Sequence, residues 1–188
     1  MDYFENLVKR LLESEGYWVK QSVKVNLTKS EKKELGKPSI PRPEIDLIGY
    51  KPLENKLLIM EVKSYLDSSG VSFSEISKNY KIPEGRYKLF TCSHYRNIIF
   101  KRLVTDLYKQ GLIIKNPKLV FALAAGNVHS KDEPKIKELF KSNGWFFYSP
   151  GELADAVRDF ANIPYDNDPF VMTSKLLAKN TNSNSNDT

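Results

Sequence analysis

The sequence predicts an α/β fold, and two observations carry the prediction. Segments of helical periodicity alternate with short apolar runs along the chain, and two of those runs, around Ile45–Tyr50 and Leu57–Val62, face each other across a short polar turn. The 188 residues, 40% of them hydrophobic, suffice for one domain with a proper core. That domain is expected over residues 1–179. Residues 180–188 are almost all Asn, Ser and Thr, have nothing to bury, and are expected to be a disordered tail.

A first amphipathic helix is expected from Asp2 to Glu15, with Tyr3, Phe4, Leu7, Val8, Leu11 and Leu12 inward and Gly16 ending it. Residues 17–27 read as a strand that alternates from Val19 onward. Lys29 to Lys37 is a charged segment closed by Pro38, Pro41 and Pro43. It reads as a solvated loop or a short exposed helix, with a positively charged flap over a nucleic-acid backbone as the sharper alternative.

Arg42 to Lys63 then forms a hairpin ending in charge. Its turn is Lys51–Lys56, and the second, more apolar run is the more central strand. Strand alternation puts Leu57, Ile59, Glu61 and Lys63 on one face and Leu58, Met60 and Val62 on the other. With that turn, Asp46 lies nearly opposite Glu61. Two carboxylates and an ammonium at the end of a buried strand are costly unless compensated, and a divalent cation relieves the repulsion between like charges. The arrangement predicts a magnesium site. A surface hairpin with scattered charge is the plainer reading, but a solvent-facing strand would alternate polar residues throughout, and here Glu61 follows four apolar residues.

Pro43, Glu44, Ile45 and Asp46, followed after fourteen residues by Glu61, Val62 and Lys63, resemble the signature of the PD-(D/E)XK nuclease superfamily. The resemblance implies a restriction-endonuclease-like core, a central mixed β-sheet flanked by helices. Its order is helix, three-strand meander, helix and strand, here with an extra helix, strand and helix. It implies that Asp46, Glu61 and Lys63 are catalytic and that Asp46, Glu61 and the Val62 carbonyl hold Mg2+, for which Mn2+ can substitute. A glutamate of the first helix joins the metal in many members. Glu5 is the candidate, although a glutamate in a first turn also suits the helix dipole.

Residues 64–96 are expected to form a substrate-facing insertion, with a short helix to Asn79, a turn at 83–85 and a short strand at Arg86–Phe90. Basic and aromatic types interleave there, so Arg42, Tyr65, Arg86, Lys88 and Arg96 are candidate nucleic-acid contacts. Aromatic core is the plainer reading of the tyrosines. A helix follows over Asn97–Gln110, with Ile98, Ile99, Leu103, Val104 and Leu107 inward, and Lys118–Ala125 reads as a buried strand. Asp132–Asn143 is a helix with a basic flank, and Trp145–Tyr148 a short aromatic strand. Ser149–Pro150 and Asp168–Pro169 each start a helix, the second reaching Lys179.

The single Cys92 excludes an internal disulfide and a cysteine-based zinc cluster, and His94 and His129 have no second ligand at zinc spacing. Ser64 and Ser93 lack a visible His and Asp arrangement for acyl transfer. No apolar run is long enough to span a membrane and no signal peptide is visible, so a cytoplasmic protein with no membrane partner is expected. A net charge of +6 permits a polyanion partner.

The expected activity is thus a metal-dependent nuclease, with DNA preferred over RNA because most of the resembled superfamily acts on DNA. Cutting both strands of a duplex would need a homodimer or two encounters. The alternatives are a non-catalytic nucleic-acid-binding protein, for which Leu103–Ile114 superficially resembles the end of a winged-helix unit, and a nuclease-fold scaffold that has lost catalysis.

Overall fold

In the computed structural model, which describes residues 2–183, the chain begins with helix α1 (Tyr3–Ser14). The Asp2 carboxylate caps it by accepting the Phe4 N–H at 2.8 Å. Val8, Leu11 and Leu12 are buried, with Phe4 and Leu7 packed beside them. Tyr3, expected inward, is 81% exposed. A helical side chain covers the turn preceding its own Cα, and the first residue has none.

Strand β1 (Trp18–Lys24) leads to helix α2 (Lys29–Glu34), so the charged segment takes the short-helix form. Thr28 and Glu31 make a reciprocal capping box, and Arg102 clamps Glu31 at 2.9 Å. Strands β2 (Glu44–Lys51) and β3 (Lys56–Lys63) form the expected hairpin. Asn55, at φ +44°, closes its turn and accepts a hydrogen bond from the Tyr50 hydroxyl. Beyond β3 come α3 (Phe73–Ile76), α4 (Lys88–Thr91), α5 (Ser93–Lys109), β4 (Lys118–Ala125), α6 (Glu133–Ser142), β5 (Phe146–Tyr148), α7 (Pro150–Asp159) and α8 (Pro169–Ser183).

The strands make one sheet of order β1-β2-β3-β4-β5. The first three run as an antiparallel meander, and β4 and β5 add in parallel. Helices flank it on both sides. Leu57 and Ile59 of β3 pack with α5 and α6, whereas Leu58, Met60 and Val62 pack with α1, α7 and α8. The alternation read from the sequence therefore assigns the two faces of β3 correctly. No described helix is long and apolar enough to cross a membrane.

Three local expectations change. Residues 86–90 are not a strand: Lys88–Thr91 turns helically because Leu89 and Phe90 must enter the core side by side. Phe90 stacks on Phe121 with centroids 4.3 Å apart and meets Phe140 and Trp145. Helix α5 starts at Ser93 rather than Asn97, bringing Tyr95 onto the buried face with Ile98 and Ile99. Helix α8 runs past Lys179 to Ser183, so part of the expected tail is helical and residues 184–188 lie outside the described residues. Nor does α5 lead into a wing, because β4 joins the sheet parallel to β3.

The sheet is irregular beside Asp46. The β1–β2 ladder pairs Gln21 with Leu47 and Val23 with Ile45, but Ser22, at φ +51°, makes no bridge to Asp46. Strand alternation slips there, since Ile45 and Ile48 join the core under α5 while Leu47 joins the other.

The loop leaving β3 is fastened to the one leaving β4. Val71 bridges Val128, the Val71 N–H donates to the Asn127 carbonyl at 3.0 Å, and the Gly126 N–H donates to the Lys63 carbonyl at 2.8 Å. At Gly126 a Cβ would come 2.4 Å from the Ser64 carbonyl oxygen. Gly126→Ala is expected to destabilise the protein by about 2 kcal/mol or more, because only backbone can move. Denaturant unfolding of the variant beside the parent checks this, and an unchanged midpoint would contradict so tight an approach.

Candidate functional site

Asp46, Glu61 and Lys63 meet at the ends of β2 and β3. The β2–β3 bridges run from Lys51↔Lys56 to Leu47↔Met60, and one step further sets Asp46 opposite Glu61. There the Asp46 carboxylate takes over from the ladder: its Oδ2 accepts the Val62 N–H at 2.7 Å. The side chain is thereby tied to the strand that carries Glu61.

The Lys63 ammonium joins the group. Nζ lies 3.5 Å from Asp46 Oδ2, 3.4 Å from Glu61 Oε1 and 3.2 Å from the Val62 carbonyl oxygen. These are the three atoms expected to hold a metal, and they converge on one positive centre. All three side chains are less than a fifth exposed, at 18% for Asp46, 14% for Glu61 and 19% for Lys63. Burial pushes the Glu61 carboxyl up to about 7, with the Asp46 charge adding to the rise and Lys63 opposing it. Burial alone would lower the Lys63 ammonium, but attraction from Glu61 and then Asp46 outweighs it and leaves the group above its ordinary value. Lys63 is thus held as a cation.

This donor set suits a hard, oxygen-seeking ion. It consists of two carboxylates and a carbonyl already collected around a charge. Among the described residues, no three His, Cys, Asp or Glu side chains form a metal-holding group. Magnesium needs no such cage, since it is ordinarily held by one or two carboxylates and keeps waters for the rest. Glu5, half-buried on α1, faces the same field: burial, and after it the charge of Asp46, raises its carboxyl.

A cleft of about 260 Å3 opens beside Glu61, and Arg42, Arg86 and Lys88 line it. All three are exposed, and Arg42 also donates to the Asn26 side-chain oxygen at 3.2 Å. Three of the five candidate nucleic-acid contacts therefore gather in the cleft beside Glu61, although they come from two distant stretches of chain. Tyr65 is half-buried at φ +46° and lines a neighbouring cleft.

Arg96 does not join them. Its Nη1 donates to the Leu89 and Phe90 carbonyls at 2.8 and 3.2 Å, and its guanidinium lies 4.9 Å from the Trp145 ring. It neutralises the carbonyl end of α4 and stacks on the aromatic cluster, a structural task. His94 binds the Glu34 carbonyl at 3.2 Å, and His129 lies 3.6 Å from Asp132.

One further residue of the cleft is Tyr95, among the aromatic residues that interleave with basic ones in the sequence. Burial, with the Glu61 charge second, pushes its hydroxyl up to about 12. The signal for that burial was present in its spacing of three and four from Ile98 and Ile99, which extends the buried face of α5 back by one turn.

No family model matches the chain, and no curated protein matches it. A solved crystal structure described as a protein of unknown function, AF1548, is similar at 14% identity and a TM-score of 0.37. The similarity covers 81% of this chain and 64% of that one, so the chain spans less than two thirds of the other's length.

Because Glu61 takes up a proton more readily folded than unfolded, the metal-free protein is expected to lose stability as pH rises from 4.5 to about 7. Lys63 titrates above 10.5 and leaves that window untouched. Glu61→Gln removes the buried charge and should raise stability at pH values above that window by about 1–3 kcal/mol. Denaturant midpoints in chelator across the range measure both effects. A parent whose stability is flat over the interval would show that Glu61 ionises as freely as an exposed carboxylate.

Proposed function

We propose that the protein is a metal-dependent nuclease of the PD-(D/E)XK type, hydrolysing phosphodiester bonds of nucleic acid. The observation that carries this reading is the convergence of Asp46 Oδ2, Glu61 Oε1 and the Val62 carbonyl on the Lys63 ammonium, beside a cleft lined by Arg42, Arg86 and Lys88. A meander followed by parallel strands, with helices on both faces, agrees with the restriction-endonuclease-like arrangement that the motif implies. The resemblance alone favours DNA over RNA.

Each group then has a role that its position allows. Asp46, Glu61 and the Val62 carbonyl hold the magnesium, and Glu5 stands near enough to feel the charge of Asp46. Bound there, the metal supplies Lewis acidity toward the scissile phosphate and toward water. Arg42, Arg86 and Lys88 draw in and seat the phosphate backbone. Lys63 already donates to three oxygens, so it acts as a proton-bearing cation that orients water or balances charge developing on the phosphate. Tyr95 closes the wall behind Glu61 and keeps water from solvating that carboxylate.

Asp46→Ala and Glu61→Ala are expected to lower cleavage of labelled duplex, single-stranded, branched and RNA substrates at least about 1000-fold. Lys63→Ala should cost about 100-fold or more. Circular dichroism should show all three folded, and chelator should abolish cleavage by the parent. Parent-like rates in both carboxylate variants would sink the assignment. Glu5→Ala separates a metal ligand from a helix-start glutamate, since a ligand's loss slows turnover several-fold and raises the magnesium requirement.

A further inference from the structure

The parallel strands β3 and β4 end side by side, and their carboxyl ends lead to a second cleft, of about 480 Å3, that metal binding does not use. Tyr65, Ser68, Ser72, Arg86, Tyr87 and His129 line it. Arg86 also lines the cleft beside Glu61, so the two clefts share that residue. The loops leaving parallel strands are where α/β sheets commonly place ligands.

The walls are built and fastened. Gly70 sits at φ +83° with Val128 backbone so near that a Cβ would meet it at 2.6 Å. The Val71–Val128 bridge joins the two loops, and Asn127 Nδ2 donates to the Ser68 carbonyl at 2.7 Å. Tyr87 is buried, and burial, with Tyr65 after it, raises its hydroxyl above the ordinary value. A site held this firmly loses little entropy on binding.

Charge distinguishes the two clefts. Three cations and two carboxylates, Glu44 and Glu61, line the first, which leaves it net positive and open to phosphate. The second sets one guanidinium against the Glu75 carboxylate among serine and tyrosine hydroxyls and an imidazole. Such groups are poor partners for a run of phosphates and good partners for base edges and sugar hydroxyls. Those edges become available to a concave pocket only when a nucleotide leaves the helical stack. The volume lies within the range of sites that enclose a small molecule, which a nucleotide is.

We propose that this cleft lodges one unpaired nucleotide next to the scissile phosphate, making the preferred substrate single-stranded, flapped or branched nucleic acid rather than continuous duplex. Its place beside a scissile phosphate rests on the nuclease reading; the binding of an unpaired nucleotide does not. Arg86, shared by both clefts, holds the phosphate that joins that nucleotide to the strand in the active site.

Fluorescence anisotropy of the full chain in chelator, with labelled single-stranded DNA, single-stranded RNA, flapped DNA and duplex DNA, tests the assignment without turnover. Single-stranded or flapped probes are expected to bind about tenfold tighter than duplex. Tighter binding of either strand chemistry supports the site, and the better one identifies the sugar it accepts. His129 lines only the second cleft and is 54% exposed, so His129→Ala should weaken single-strand binding about threefold and leave duplex binding and folding unchanged. Arg86→Ala should weaken both. Equal or tighter duplex binding, or an equal loss on both probes in His129→Ala, would overturn the proposal. Metal-dependent duplex cutting with no strand preference removes the nucleotide site and leaves the nuclease. Strand preference in a protein that never cuts does the reverse.

Discussion

The arrangement at the end of the β2–β3 hairpin depends on one ammonium. Asp46 and Glu61 are carboxylates at the mouth of an otherwise apolar sheet, each less than a fifth exposed. Without a compensating charge, their burial would cost several kcal/mol. Lys63 supplies that charge from the same strand as Glu61, two residues on and therefore on the same face. The Val62 N–H completes the tie by donating to Asp46 instead of to backbone. The resulting group is compact and positively centred. It is also strained by its own burial, which is why the Glu61 carboxyl lies so far above its ordinary value. Sites of this sort hold a polar constellation in place at a cost in stability that the surrounding core must offset.

That core is arranged so that the constellation opens outward. The antiparallel pairing of β2 with β3 brings Asp46 alongside Glu61, and the parallel addition of β4 sends the loops after β3 and β4 to the same end of the sheet. Helix α5, by starting at Ser93, seals the floor of the Glu61 cleft with Tyr95 and Ile99. The aromatic group around Phe90, Phe121, Phe140 and Trp145 fixes α4 against β4 and α6, and so sets where Arg86 and Lys88 emerge. Arg86 and Lys88 are thereby presented from a packed base.

How far the site could be read from the chain varied with the range of the contacts involved. The hairpin was legible because its register follows from turn length and period-two alternation, both local. Arg42 was legible because it adjoins that hairpin. Arg86 and Lys88 were singled out by composition, but so was Arg96, and composition cannot tell a guanidinium facing a cleft from one bound to the carbonyls of Leu89 and Phe90. Residues 86–90 resisted reading for a related reason. Leu89 and Phe90 are consecutive buried residues, a pattern shared by buried strands and single helical turns, and only the position of Phe121 opposite them selects the turn. The slip of alternation at Ser22 and Asp46 has no sequence signal at all.

By itself, then, the sequence determined the α/β class, the order and faces of the main elements, and the pairing of Asp46 with Glu61 and Lys63. All of these follow from periodicity and from residues near one another along the chain. The tertiary structure alone decided that Arg86 and Lys88 join Arg42 in the cleft beside Glu61 while Arg96 serves packing, that Tyr95 backs Glu61, and that a second, hydroxyl-lined cleft adjoins the first. Each of those depends on loops and helices meeting across the sheet from distant parts of the chain, and burial and hydrogen-bond partners across such distances leave no imprint on local pattern.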